Sequence, residues 1–157
     1  MKAVILMGSK ADLEFCKQIA EKLKIFGIDN ELRVASAHKT PEHVLKILKD
    51  YENEDVVFVT VAGKSNALSG FVDANTTKPV IAAPPIGDKW IDLFSSIRMP
   101  TGVAPMLVLE AENVAVAVAK IFAIKYEKVR NAIMDYQRKK REEVIEADEE
   151  VKGNGER

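Results

Sequence analysis

Short runs of aliphatic and β-branched residues alternate with amphipathic segments up to about Ile124, and this alternation restricts the possible folds more than any other feature of the chain. The clearest run, Val56–Val61, is almost unbroken in β-branched residues, which is typical of a strand buried on both faces of a sheet. Consecutive parallel strands need a crossover between them, and the crossover is usually a helix. The alternation therefore predicts an α/β fold in which helices cover both faces of a central parallel sheet.

The boundaries of the individual elements follow from the same pattern. We predict strands at about Ala3–Met7, Glu31–Ala35, Val56–Val61, Val80–Ala83 and Ala104–Leu109. Helices are predicted at about Ala11–Ile25, from Pro41 onward, and at about Asn66–Asn75, Trp90–Ile97 and Asn113–Ile124. Gly27 is suited to end the first helix, and Pro41 is suited to the first turn of the second. The pattern predicts a three-layer α/β/α sandwich of the flavodoxin-like type with a long C-terminal helix.

The composition changes at Lys125, where a long and highly charged helix is predicted to begin and to continue to about Gly153. Acidic and basic residues are equally numerous in this segment, so it is neither an acidic nor a basic tail. An apolar stripe at helical spacing indicates a packing face, formed by Tyr126, Val129, Ile133 and Tyr136. We expect residues 1–157 to form a single domain, with a core over about 1–124 and a C-terminal helical arm over about 125–157 that packs on another subunit.

Charge and composition exclude several classes of partner. The net charge of −1 argues against nucleic acid, which requires a basic surface, and the quartet Arg138–Arg141 is followed at once by two glutamates. No apolar run reaches the ~18–20 residues of a membrane-spanning helix. The single cysteine, Cys16, cannot form an internal disulfide and is interpreted as a buried, unreactive side chain. We therefore expect a cytoplasmic protein that binds neither nucleic acid nor membrane.

Both histidines of the chain, His38 and His43, lie in one short stretch after the second predicted strand. Ligands of open α/β sheets bind outside the carboxyl ends of the strands, and histidine can exchange protons near neutral pH. His38 beside Lys39 is therefore a candidate for proton transfer; the alternative is a loop histidine bonded to the backbone beside an ordinary surface lysine. His43 falls inside the following helix and is interpreted as a surface residue.

Two further strand ends carry small polar loops with a glycine, at Gly8–Asp12 and Ala62–Asn66. Each opens a predicted helix, whose first amides and dipole are suited to bind phosphate. For the first loop the alternative is a capping box made by Ser9 and Asp12, and for the second it is a simple turn at Gly63. If all three loops converge, they form one pocket. No residues have the spacing of metal ligands or of a Ser-His-Asp triad.

Other classes of protein share the predicted layers. A phosphorylated receiver domain needs an acidic pair after the first strand and an aspartate at the end of the third, where this chain has Met7-Gly8-Ser9 and Ala62-Gly63. A flavodoxin-like electron carrier and a non-catalytic nucleotide-binding subunit remain open alternatives.

Taken together, four segments resemble the PurE proteins of purine biosynthesis. They are Met7-Gly-Ser-Lys-Ala-Asp12, Ser36-Ala-His-Lys-Thr40, Ala62-Gly-Lys-Ser-Asn-Ala-Leu-Ser-Gly-Phe-Val-Asp73 and Ser95-Ser-Ile-Arg-Met-Pro-Thr-Gly102. They occur in the order of the family, and the resemblance extends to about Ile124. One branch of that family is a mutase that moves a carboxylate from the exocyclic nitrogen of N-carboxyaminoimidazole ribonucleotide to a ring carbon. The other, class II, adds carbon dioxide directly to aminoimidazole ribonucleotide.

Two departures from the mutase pattern make the chain similar to the carboxylase branch. Lys39 stands where the mutase pattern has arginine, and Lys64-Ser65-Asn66 replaces the second histidine of the mutase. The resemblance implies carboxylation of 5-aminoimidazole ribonucleotide, a reaction that needs no cofactor or metal. Because the last helix extends past the edge of the domain, we expect a homo-oligomer, a tetramer or octamer. The resemblance also implies a ribonucleotide site lined by Ser9, Asp12, Ser36, Lys39, Gly63 and Ser65. Carboxylation leaves a proton on the ring carbon, and we assign its removal to His38 as general base. For carbon dioxide we expect an apolar wall that includes Ala62, Ala67, Leu68 and the turn Ala82-Ala83-Pro84.

Overall fold

The computed structural model describes residues 1–85 and 90–154. Within these residues five parallel strands form one sheet in the order β2-β1-β3-β4-β5. The strands are β1 (Lys2–Met7), β2 (Asp29–Val34), β3 (Val56–Val61), β4 (Val80–Ala82) and β5 (Met106–Leu107). The helices are α1 (Leu13–Lys24), α2 (Pro41–Asp50), α3 (Ala67–Ala74), α4 (Phe94–Ile97), α5 (Ala111–Ala123) and α6 (Glu127–Asn154), and 3-10 turns cover Lys10–Asp12 and Trp90–Leu93. This is the flavodoxin-like strand order, so the predicted fold is confirmed.

Two hydrophobic cores lie on opposite faces of the sheet, because successive side chains of a strand point to opposite sides. On β1, Ala3, Ile5 and Met7 face a core that is covered by α1, α5 and the start of α6. Val4 and Leu6 face a second core that is covered by α2 and α3. β1 and β3 lie inside the sheet and are apolar throughout except for Thr60 and the partly exposed Lys2, which explains why they were easy to recognise in the sequence.

The central strands end level with one another, and this positions the loops that follow them. Met7 of β1 is in register with Val34 of β2 on one side and with Val61 of β3 on the other. The chain leaves β1 toward β2 and then crosses back to β3, so the direction of winding reverses at this point. Ligands of doubly wound folds bind in the crevice at such a reversal.

The edge strands differ most from prediction. We expected the fifth strand at Ala104–Leu109, but β5 contains only Met106 and Leu107, and both side chains are exposed. The expected strand at Glu31–Ala35 instead spans Asp29–Val34, with no residue of β2 fully buried. An edge strand pairs on one side only, so its ends are poorly marked by burial.

The end of α1 confirms the predicted role of Gly27. This residue has a φ of +64°, in the left-handed region where glycine carries no steric penalty. That conformation lets the N–H of Ile28 reach back to the carbonyl of Leu23 at 3.2 Å, which satisfies a helix-end carbonyl. The chain then turns directly into β2.

The apolar stripe on α6 packs on the core of its own chain. Val129 is fully buried and Ile133 nearly so, and the ring centroids of Tyr136 and Phe26 lie 5.3 Å apart in an edge-to-face arrangement. The Glu112 carboxylate of α5 accepts hydrogen bonds from the Tyr136 hydroxyl at 2.6 Å and the Lys22 ammonium at 2.8 Å. These contacts join α1, α5 and α6. From Arg138 to Gly153 every residue of α6 is exposed, so the second half of the helix projects away from the core.

None of the helices that the structure describes is both long and apolar enough to cross a lipid bilayer.

Candidate active site

A cleft of about 790 Å³ opens at the carboxyl edge of the sheet. It is lined by the loops after β1, β2 and β3 and by two residues from the segment that follows β4. The lining residues are Gly8, Ser9, Ala11, Asp12, Ser36, Ala37, His38, Lys39, Ala62, Gly63, Lys64, Ser65, Ala67, Leu68, Pro85 and Asp92. All seven residues that the sequence analysis named for the site, from Ser9 to Ser65, therefore line one cleft.

The loop after β1 turns at Ser9, which caps the 3-10 turn that follows. Its hydroxyl accepts the N–H of Ala11 at 3.2 Å and lies 3.4 Å from the Asp12 carboxylate. Burial raises the pKa of Asp12 above its ordinary value, and the hydrogen bonds from Ser9 partly oppose that rise. The cap uses the Ser9 oxygen as acceptor and brings the Asp12 carboxylate into the cleft. The capping interpretation and a ligand site are therefore compatible.

The loop after β2 is a tight turn closed by Ser36 and Thr40. The Thr40 N–H bonds to the Ser36 carbonyl at 2.8 Å, and the Thr40 hydroxyl lies 3.1 Å from the Ser36 N–H. The Ser36 hydroxyl accepts the N–H of Lys39 at 3.3 Å. These bonds fix the base of the turn that carries His38 and Lys39, both of which line the cleft.

Two residues lie outside the cleft, as the sequence predicted. His43 is an exposed residue on α2, which begins at Pro41. Cys16 is fully buried in α1, and burial is the main cause that raises the pKa of its thiol to about 12, with the nearby Asp12 charge adding to the effect. A thiol with so high a pKa has almost no nucleophilic thiolate at neutral pH.

The glycine loop, residues 62–66, connects β3 to α3. A Cβ atom on Gly63 would lie 3.8 Å from the Asp92 carboxylate and 3.9 Å from Pro85, both of which line the cleft. A side chain at Gly63 would therefore take up cleft volume. Lys64 has a φ of +54°, a left-handed conformation that lysine rarely adopts.

Asn66 ends the glycine loop and anchors it in a buried polar network. Its side-chain carbonyl caps α3 by accepting the Ser69 N–H at 3.1 Å. Its amide nitrogen donates to the hydroxyls of Ser69 and Ser96 at 2.8 and 2.9 Å, and Ser69 in turn lies 2.7 Å from the Thr60 hydroxyl. This network accounts for the polar side chain within β3 and holds the start of α3 against the strand.

Asp92 is the charged cleft residue that the sequence analysis missed. Its carboxylate accepts the backbone N–H of Lys64 at 3.0 Å, across a separation of 28 positions in the chain. No local pattern marks such a contact, because it joins two residues that are distant in the chain. Of the apolar residues expected to face carbon dioxide, Ala62, Ala67 and Leu68 line the cleft. The turn Ala82-Ala83-Pro84 is not part of the lining, to which Pro85 contributes instead.

The cleft combines groups that can move a proton with groups that can hold an anion. His38 provides the imidazole, Lys39 and Lys64 provide ammonium groups, and Ser9 and Ser65 provide hydroxyls. Among the described residues, no group of three or more His, Cys, Asp or Glu side chains is arranged to hold a metal ion. The arrangement is suited to acid–base chemistry on a small anionic ligand.

Comparison with known proteins places this site in a family. The sequence pattern of the family described as AIR carboxylase matches residues 2–143. A phosphoribosylaminoimidazole carboxylase from Archaeoglobus fulgidus is 69% identical over 97% of this chain and 86% of its own length. An N5-carboxyaminoimidazole ribonucleotide mutase from Methanocaldococcus jannaschii is 40% identical over 94% of this chain and 96% of its own length.

The fold comparison agrees with the sequence comparison. The crystal structure of Treponema denticola PurE superposes with a TM-score of 0.93 at 42% identity and covers 96% of this chain and 98% of that chain. Sequence and structure thus match over nearly the whole molecule, including all three loops of the cleft. The chain belongs to the AIR carboxylase family, the PurE enzymes of purine biosynthesis.

Proposed function

We propose that this protein carboxylates 5-aminoimidazole ribonucleotide with carbon dioxide, giving 4-carboxy-5-aminoimidazole ribonucleotide in de novo purine (IMP) biosynthesis. The observation that carries the proposal is the convergence of His38, Lys39 and the glycine loop on one cleft. Its volume of about 790 Å³ falls within the range of small-molecule sites. The Archaeoglobus fulgidus relative, which is 69% identical and is named a carboxylase, supports carboxylation as the proposed reaction.

The proposed reaction needs little activation. The aminoimidazole ring is an enamine, so its ring carbon attacks the carbon of carbon dioxide and forms the new C–C bond, while one C=O electron pair moves to oxygen. The ring carbon is then tetrahedral and still carries its hydrogen. We assign His38 as the base that takes this proton, and the C–H electron pair returns to the ring and restores aromaticity. The step consumes no ATP and requires no biotin or metal, and in decarboxylation His38 returns the proton.

The remaining cleft residues are proposed to bind the nucleotide. The Asp12 carboxylate is suited to accept hydrogen bonds from two ribose hydroxyls, and Lys39 is suited to a phosphate as a point charge. Ser9, Ser36, Gly63 and Ser65 contribute hydroxyls and backbone amides at the same edge of the sheet. The apolar residues Ala62, Ala67 and Leu68 provide a surface for carbon dioxide. A general base contributes about 10²–10⁴-fold, so positioning must supply much of the remaining acceleration.

The alternative is the mutase reaction, which starts from N-carboxyaminoimidazole ribonucleotide. It is favoured by the name of the Methanocaldococcus jannaschii relative, at 40% identity. Lys39 and Lys64-Ser65-Asn66 favour the carboxylase, because the mutase pattern has arginine and a second histidine at these places.

The test is formation of the carboxylated nucleotide from 5-aminoimidazole ribonucleotide and carbon dioxide supplied by bicarbonate, with no ATP present. We expect product formation that depends on the enzyme. Turnover of the N-carboxy substrate alone would instead identify a mutase. Absence of turnover with either substrate, in protein that still binds the nucleotide, would indicate a non-catalytic subunit.

A further inference from the structure

The segment 92–96, here called the clamp segment, holds the glycine loop by its backbone. The Asp92 carboxylate accepts the Lys64 N–H at 3.0 Å. The Ser95 hydroxyl accepts the Asn66 N–H at 2.9 Å and lies 2.9 Å from the Lys64 carbonyl. Three backbone groups of the loop, the N–H and carbonyl of Lys64 and the N–H of Asn66, therefore contact two side chains about thirty positions further along the chain.

The loop needs such support because of the conformation of Lys64. A lysine with a φ of +54° lies in a sparsely populated backbone region, and such conformations persist only where the surroundings impose them. Asp92 accepts the N–H of Lys64, and the Ser95 hydroxyl lies within hydrogen-bond distance of the Lys64 carbonyl, so both ends of this residue are held. Without these hydrogen bonds, the lysine backbone is expected to relax toward negative φ, which would move its neighbours Gly63 and Ser65.

Both neighbours, Gly63 and Ser65, line the cleft, as do Ala62 and Lys64 of the same loop. The amides of the loop alternate: Lys64 and Asn66 donate to the clamp segment, whereas the amides of Gly63 and Ser65 have no acceptor among residues 1–85 and 90–154. The clamp segment thus determines which amides of the loop donate hydrogen bonds within the protein and which are available to donate to a ligand.

We propose that Asp92 and Ser95 are positioning residues, which keep the glycine loop in the shape that aligns the nucleotide for reaction. Asp92 acts through its hydrogen bond to the Lys64 amide, and its negative charge is not required. This inference rests on the proposed function, since it assumes that the reacting nucleotide occupies the cleft.

The experiment compares Asp92→Ala, Asp92→Asn and Ser95→Ala in the full-length protein. Asparagine keeps an oxygen that can accept the Lys64 N–H but loses the charge. Asp73→Ala is the matched control, because the Asp73 carboxylate accepts the Ala104 N–H at 2.7 Å across 31 positions and does not line the cleft. For each variant we would measure kcat and KM for the nucleotide, its Kd by calorimetry, and the melting temperature.

We expect Asp92→Ala and Ser95→Ala to lower kcat by about 10–100-fold, with nucleotide Kd changed by less than about 3-fold, because a shift of about 1 Å in a positioning group costs on this order. Asp92→Asn should restore kcat to within about 3-fold of the wild type, and Asp73→Ala should leave it unchanged. If Asp92→Ala does not fold, Ser95→Ala and Asp92→Asn decide the question.

Three results would overturn the inference alone: wild-type kcat in both alanine variants, a folded Asp92→Asn as impaired as Asp92→Ala, or an equal loss in Asp73→Ala. An inactive wild type would instead overturn the proposed function.

Discussion

His38 stands on a turn whose base is fixed by Ser36 and Thr40, at the mouth of the cleft. Asparagine is polar and of similar size but cannot accept a proton near neutral pH. We therefore expect His38→Asn to lower turnover by at least about 10²-fold, the usual contribution of a general base, while nucleotide affinity stays within about 3-fold. Steady-state kinetics and calorimetry measure the two quantities. His43→Asn, on the exposed side of α2, is the control, and full activity in His38→Asn would refute the proton role.

Lys39 follows His38, the proposed base, and is itself proposed to bind the phosphate. Removal of its charge should weaken binding of the nucleotide more than it slows the chemical step, so Lys39→Ala is expected to raise KM by about 10-fold and to lower kcat by less. The wild-type KM should also rise with ionic strength, because salt screens an exposed charge. Lys46→Ala removes an exposed ammonium from α2 and should change neither quantity. An unchanged KM in Lys39→Ala would contradict the phosphate assignment.

One carboxylate, that of Glu112, links α6 to α1 and α5 in addition to the apolar packing. Hydrogen bonds from Lys22 and then Tyr136 are the main causes that lower the pKa of Glu112 from about 4.5 to about 2. Because the pKa of Glu112 is lower in the folded than in the unfolded protein, the ionised carboxylate stabilises the fold at pH values above about 4.5. This stabilisation is lost as the pH falls from about 4.5 to about 2 and the carboxylate is protonated. Since Glu112 is about one third exposed, with 32% of its side chain accessible, the contribution is discounted to about 1 kcal/mol.

Glu112→Gln is therefore expected to melt a few degrees below the wild type at pH 7, and the difference should shrink as the pH approaches 2. Thermal unfolding followed by circular dichroism at pH 7, 4 and 3 measures it. Glu14→Gln, which loses an exposed pair with Lys17 within α1, is the control. A difference in melting temperature that stays constant over this pH range would show that the carboxylate charge does not hold the helix.

The sequence predicted those elements whose burial is regular. β1 and β3 are buried on both faces, and short apolar runs of this kind are typical of buried strands. The predicted length of β5 is too great, because this edge strand is exposed and lacks a run of buried apolar residues that would define its ends. The stripe on α6 predicted a packed face but could not identify its partner, which includes Phe26 of the same chain. Two features of the site have no local signal in the sequence. The contact of Asp92 with Lys64 joins residues 28 positions apart, and lysine is not a residue that favours the left-handed backbone seen at Lys64.

The assembled molecule is expected to contain several copies of this chain. Exposed apolar side chains lie along the projecting half of α6, where Val144 is 70% and Ile145 is 63% exposed. Burying one such side chain against another subunit gains about 2 kcal/mol, so a helix of this kind is stabilised by a partner. We propose that this half of α6 packs on a second subunit, within a tetramer or octamer. Light scattering should then give four or eight times the 17.4 kDa of one chain.

Ile145→Asp tests whether the helix takes part in that contact, because it places a charge in the apolar face. We expect it to shift the assembly toward smaller species, and to do so more strongly on dilution, since association depends on protein concentration. Lys152→Asp introduces the same side chain at an exposed polar position of α6 and should keep the wild-type mass. A wild-type mass of one chain would contradict assembly altogether. If the Ile145→Asp variant has the same assembled mass as the Lys152→Asp variant, the protein still assembles but Ile145 takes no part in the contact.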